Sequence, residues 1–117
     1  MAYVSGFMAP VPSDRKQDYL DIATRSVAVF KDHGALRVVE TWGDEVPEGK
    51  LTSMPMAVQA GESETVVFSW VWWPDKATYV AGMEKVMADE RMDFDLGSLP
   101  FDMQRMIFGG FEVILDA

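Results

Sequence analysis

Thr65-Val66-Val67-Phe68-Ser69-Trp70-Val71-Trp72-Trp73 is the stretch whose residue types decide the fold. Almost every position is β-branched or aromatic, which predicts a strand. Side chains of a strand alternate between two faces, so Val66, Phe68, Trp70 and Trp72 share one face and Val67, Ser69, Val71 and Trp73 the other. An antiparallel sheet with one wet face alternates apolar with polar residues. Here both faces are apolar, with Ser69 the polar exception, so both are expected to be covered.

Outward from this strand, Pro74 stops the ladder and Asp75 can cap a helix carrying Val80, Met83 and Met87 on one stripe. On the N-terminal side, Gly61 to Glu64 reads as a hairpin connection, Met56 to Ala60 as a short extra strand, and Gly43 to Lys50, with Pro47-Glu48-Gly49, as a loop. Ala35 to Trp42 predicts a strand with Leu36, Val38, Glu40 and Trp42 on one face. Before it, Tyr19, Ile22, Ala23, Ser26, Val27 and Phe30 recur at helical spacing. That pattern predicts a helix over 13–33, capped by Ser13 and ended at Gly34. Residues 2–9 predict a first strand that stops at Pro10 and Pro12, and Arg105 to Leu115 a last one. The order β-α-β-β-α-β is that of an α+β ferredoxin-like plait with two helices on one face, here a single domain over residues 1–117.

If both helices lie on one face, the other face of the sheet is left bare. The last strand repeats the two-sided apolar pattern, with Met106, Phe108 and Ile114 on one side and Ile107, Phe111, Val113 and Leu115 on the other. Each large apolar side chain buried contributes about 1.5–3 kcal/mol, so a whole exposed row is costly against typical domain stability. A second copy is the simplest cover, because symmetric dimers are the commonest assemblies. A homodimer is therefore expected.

Composition narrows the partners. The 117 residues carry 19 acidic and 10 basic side chains, a net charge of −9, which disfavours nucleic acid and anionic membrane surfaces. There is no cysteine, so disulfides, thiolate nucleophiles and thiolate-held metals are excluded. With one histidine, His33, no metal and no cofactor is expected. Asp93-Phe94-Asp95-Leu96-Gly97 faintly resembles a calcium loop, but Gln104 stands where a bidentate glutamate belongs. The opening residues show no basic segment ahead of an apolar one, which suggests a cytoplasmic protein. The aromatic row Phe68, Trp70 and Trp72 beside Tyr3 and Phe7 invites comparison with RNA-recognition sheets, yet the basic signature of those sheets is missing.

Three stretches resemble the YbaA-like bacterial family of unknown function: Glu40-Thr41-Trp42-Gly43-Asp44-Glu45-Val46-Pro47-Glu48-Gly49-Lys50, Val67-Phe68-Ser69-Trp70, and Pro100-Phe101-Asp102 with Arg105-Met106-Ile107-Phe108-Gly109-Gly110-Phe111-Glu112. The resemblance implies the dimeric α/β-barrel superfamily, whose other branches include cofactor-free monooxygenases, lactone isomerases and haem-degrading enzymes. It implies a fold and a dimer, and no activity.

Among single residues, Glu40 is the candidate acid or base. It sits mid-strand between Val38 and Trp42, where a carboxylate must find a partner or hold a raised pKa. Arg105 or Arg37 is the expected partner, either in a structural ion pair or as an anion contact. Trp42 and Trp70 could wall a flat apolar pocket beside it or serve as core aromatics. His33, at a helix end, could bind ligand or only cap the helix. Two functions follow: a homodimeric small-molecule-binding domain, extending to a cofactor-independent enzyme, or a non-catalytic interaction dimer.

Overall fold

The computed structural model describes residues 2–94 and 99–117. Among them, β1 (Tyr3–Pro12), β2 (Arg37–Glu40), β3 (Glu64–Trp73) and β4 (Ile107–Glu112) form one antiparallel sheet in the order β2-β3-β1-β4. The crossover helices are α1 (Lys16–Asp32) and α3 (Lys76–Ala88), and a short α2 (Met54–Ala57) lies in the connection between β2 and β3. Each crossover joins two strands with a third inserted between them, which is the ferredoxin-like plait expected from the element order. Asp95 and Gly97 of the acidic stretch lie outside the described residues.

The register fixes which residues share a face. Tyr3 lies opposite Trp73, Phe7 opposite Ser69 and Ala9 opposite Val67. Val38 lies opposite Val71, and Glu40 opposite Ser69. On the helix side two apolar clusters form. One joins Ala9, Val11, Tyr19, Ala23 and Val67, with Phe7, Trp42, Phe101 and Met106 packed against it. The other joins Tyr3, Ala35, Val71 and Trp73 with Phe30, Val38, Tyr79 and Met83. The row Glu40–Ser69–Phe7 crosses the sheet between them. On the opposite face Phe68 is 41% exposed, Ile107 43% and Phe111 62%, with Trp70 and Trp72 half-buried alongside.

Local chemistry sets the element ends. Gly34 has φ +110°, and a Cβ there would come within 2.7 Å of Thr78. Its N–H bonds the carbonyl of Lys31 and the Ala35 N–H that of Phe30, a two-bond C-terminal cap that closes α1 as predicted. The Asp75 carboxylate accepts the Thr78 N–H at 2.7 Å and starts α3.

Three expectations need correction. Ser13 does not cap α1: a 3₁₀ turn over Ser13–Arg15 precedes the helix, and the Ser13 hydroxyl bonds Thr65 Oγ1 at 2.7 Å instead. β1 runs on through Pro10 to Pro12, because β4 pairs with β1 only from Tyr3 to Met8 and the prolines fall where β1 is free on that side. The segment predicted as a strand at 56–60 is not one; residues 54–57 form α2, with the Ser53 hydroxyl accepting the Met56 N–H and Pro55 in the first turn.

Candidate functional site

Glu40 ends β2 with its side chain on the helix side of the sheet, and the group that meets it is Tyr19. One turn into α1, the Tyr19 hydroxyl donates to Glu40 Oε2 at 2.5 Å. Tyr19 is 5% exposed, so a desolvated phenol faces a half-buried carboxylate. Burial lifts the Glu40 carboxyl above the usual carboxylate range, against the opposing effect of the hydrogen bond from Tyr19. Burial, then the charge of Glu40, raises the Tyr19 phenol far above its ordinary value.

Ser69 completes the group. It is 1% exposed and lies across from Glu40 in the ladder. Its hydroxyl is close enough to influence both acids, yet Oγ makes no well-formed hydrogen bond. A buried hydroxyl left without a partner costs about 1–3 kcal/mol, so such groups are uncommon away from sites that receive something.

Aromatic rings wall the group on one side. Trp42 lies 6.4 Å from the Tyr19 ring, and Phe101 lies 6.0 Å from it, edge-on. The Lys16 ammonium sits 5.7 Å from the centre of the Trp42 ring, a cation–π contact at the outer rim. Trp42 is held beside β3 by the residues around it: the Thr41 hydroxyl donates to the Phe68 carbonyl, and the Gly43 N–H bonds the Val66 carbonyl at 2.8 Å.

The residues singled out from sequence do not all gather here. Glu40 and Trp42 do, bracketing Tyr19. Trp70 lies on the opposite, open face, 5.4 Å from Phe68. Arg105 does not pair with Glu40. Its guanidinium forks onto Glu64, with Nη1 and Nη2 each 2.8 Å from a carboxylate oxygen, and also bonds Asp102 at 3.0 Å and the Gln59 carbonyl at 3.0 Å. That arginine holds Glu64 below its usual range. Arg37 is one residue out of phase with Val38 and Glu40, so it too points away. His33 Nε2 lies 2.9 Å from Asp89, which Arg91 also grips at 2.7 Å, tying the end of α1 to the end of α3.

Tyr19 and Ser69 are the partners that sequence reasoning missed. Tyr19 reads as one more member of an apolar stripe. Ser69 did carry a signal, as the polar residue between Val67 and Val71 on the helix side of β3. Two clefts of about 490 and 460 Å³ open elsewhere, one along Asp18, Ile22 and Phe94 and the other along Val46, Met56 and Glu62, and Glu40 lines neither. Among the described residues no three acidic or histidine side chains gather as a metal site, and no helix is long and apolar enough to cross a membrane.

The architecture is ferredoxin-like. A dimeric ferredoxin-like protein from an uncultured marine organism superposes with a TM-score of 0.65 at 10% identity, over 99% of this chain and 98% of that one. A NIPSNAP domain protein from Burkholderia xenovorans gives 0.59 at 14% identity, covering 95% and 93%. SnoaB, a cofactor-independent oxygenase from Streptomyces nogalater, gives 0.56 at 10% identity, covering 98% and 95%. Within that fold class the chain belongs to the family described as protein of unknown function DUF1428, whose model matches residues 2–103. It is 49% identical over 116 residues to the uncharacterized protein YbaA of Escherichia coli strain K12, and equally to that of Shigella flexneri, covering 99% of each chain.

Proposed function

We propose that this chain is a homodimeric small-molecule-binding domain in which Glu40 exchanges a proton with the bound molecule. One observation carries the reading: Glu40 is held by the Tyr19 hydroxyl at 2.5 Å and forms no salt bridge among the described residues. A structural acid in a protein interior is ordinarily paired with a base, whereas an acid kept unpaired and desolvated is poised to trade a proton. Tyr19 orients the carboxyl through Oε2 and leaves Oε1 for the ligand. SnoaB, which shares the fold, works without a cofactor. A carboxyl of raised pKa is the kind of group such chemistry would need from its own chain.

The dimer half of the reading rests on surface. The chain exposes 7890 Å², against about 6,400 Å² for a compact monomer of its mass. The excess exceeds the roughly 800 Å² that each partner buries in a standard interface. The open face supplies Phe68, Trp70, Trp72, Ile107 and Phe111 for that contact, and aromatic anchors dominate interface energetics. An acidic, cysteine-free chain of this kind suits the cytoplasm.

Native mass spectrometry of the freshly purified protein tests both halves. The expected spectrum is a dimer, with a small-molecule adduct that disappears in Glu40→Gln. A bare monomer removes the sheet-pairing argument, and an adduct indifferent to Glu40→Gln removes Glu40 from the site. One observation favours a second reading, an interaction dimer without ligand: neither cleft reaches Glu40. Under that reading the dimer carries no adduct, and Glu40→Gln changes stability alone.

A further inference from the structure

The ligand can be narrowed by what surrounds Glu40. Three aromatic rings, Tyr19, Trp42 and Phe101, stand together at centroid distances of 6.4 and 6.0 Å from Tyr19 outward. A carboxylate lies against Tyr19, and Ser69 adds a buried hydroxyl without a hydrogen-bond partner. The two arginines singled out from the sequence, Arg37 and Arg105, are directed to the other face and to Glu64. The ammonium of Lys16 already rests 5.7 Å from the centre of Trp42. Aromatic faces with an adjoining carboxylate are the chemistry that recognises organic ammonium ions.

Taking Glu40 as the ligand-binding group, as proposed above, we infer that the site takes a protonated amine on a small apolar body. The ammonium displaces Lys16 from the Trp42 face and pairs with Glu40 through Oε1, while the Ser69 hydroxyl gains the partner it lacks. Lys16 is exposed at the first position of α1, so it leaves without disturbing the fold. The chain's net charge of −9 adds a long-range preference of the same sign, which the test must separate from local recognition.

Three probes with one phenyl body make that separation: 2-phenylethylamine, 2-phenylethanol and phenylacetate, titrated by calorimetry into the full chain at neutral pH and moderate salt. The expected order is amine, then alcohol, then acid, with at least about tenfold between amine and acid. Glu40→Gln and Trp42→Leu should each weaken the amine about tenfold and barely move the alcohol. Lys16→Ala, a surface change, should tighten the amine a fewfold by removing its competitor. If the alcohol or acid binds as tightly as the amine and loses affinity in Glu40→Gln, the amine assignment is overturned while Glu40 stays a binding residue. Amine binding that ignores Glu40→Gln, Trp42→Leu and Lys16→Ala is attraction to net charge only, and overturns the inference. If no probe binds while the variants remain folded, both the inference and the reading of Glu40 as a ligand site fall.

Discussion

The two faces of one sheet hold their glutamates in opposite ways. On the helix side, Glu40 is desolvated, bonded by a phenol and, among the described residues, in no salt bridge. On the other side, Glu64 begins β3 in phase with Val66 and Phe68 and is forked by Arg105 with two bonds of 2.8 Å. The first carboxyl is pushed up by burial, the second pulled down by its guanidinium. The difference separates two tasks. Glu64 pins the segment leading into β4 to the start of β3, and its stabilising partner makes it useless as a proton carrier. Glu40 has nothing to hold in place and is held itself.

The largest expected effect comes from placing the same charge on neighbouring positions of β3. Val71→Glu puts a carboxylate among Tyr3, Ala35 and Trp73, where an unpaired charge costs several kcal/mol, enough to abolish folding in a domain of this size. Trp70→Glu puts it on the open face, where water still reaches it in the monomer. Circular dichroism should show Val71→Glu unfolded and Trp70→Glu folded, with light scattering showing half the wild-type mass for the latter. A Trp70→Glu protein that stays dimeric would mean the open face is not the interface.

Next comes Arg105→Met, which removes the fork on Glu64 together with the bonds to Asp102 and the Gln59 carbonyl. The pair is only partly shielded, at 27% and 16% side-chain exposure, so a loss of about 1–2 kcal/mol is expected and not the larger value of a sealed pair. Urea denaturation measures it. Because the folded-state pKa of Glu64 is depressed, its contribution is present above the unfolded value and lost as pH falls through the folded one. The gap between wild type and Arg105→Met should therefore narrow below about pH 4. A gap that is flat down to pH 2.5 would assign the stability to something other than the ion pair.

Much of this contrast was legible beforehand. The alternation in Val66 to Trp73 separates the two faces, and Glu40 in phase with Val38 marks it as an interior acid. What could not be read were partners far apart in the chain. Which member of the α1 stripe reaches Glu40 depends on where the helix crosses β2, and periodicity says nothing about that crossing. Arg105 was matched with the wrong glutamate because it precedes β4 in a turn, and only the folded path of that turn brings its guanidinium to Glu64. The short α2 was a different failure. Four residues cannot show a period, and the useful cues were the Ser53 cap and Pro55 behind it.

A smaller effect of opposite sign is expected at Glu40. Its folded-state pKa is raised, so its ionisation favours the unfolded chain: the contribution is intact below about pH 4.3 and lost as pH rises through the folded value. Glu40→Gln keeps an acceptor for Tyr19 and cannot ionise. The variant should match wild type near pH 4 and be the more stable of the two at pH 8. Thermal melts across that range measure it. A variant less stable than wild type at pH 8 would mean the charge is compensated after all.

Ser69→Ala is the smallest and separates structure from function most cleanly. The Oγ atom is buried and makes no well-formed hydrogen bond, so replacing it with hydrogen recovers a desolvation cost and opens almost no space. A gain of a few tenths to about 1 kcal/mol is expected, readable as a shift in the urea midpoint with unchanged slope. A purely structural serine would behave in the reverse way, losing stability when its partner is stranded. If the alanine variant is more stable and also binds ligand more weakly, the hydroxyl is kept at a cost to folding, and the reason for keeping it lies at Glu40. The same variant tests the contrast between the two faces: no such gain should follow from trimming any group in the Glu64–Arg105 pair, because each atom there already has its partner.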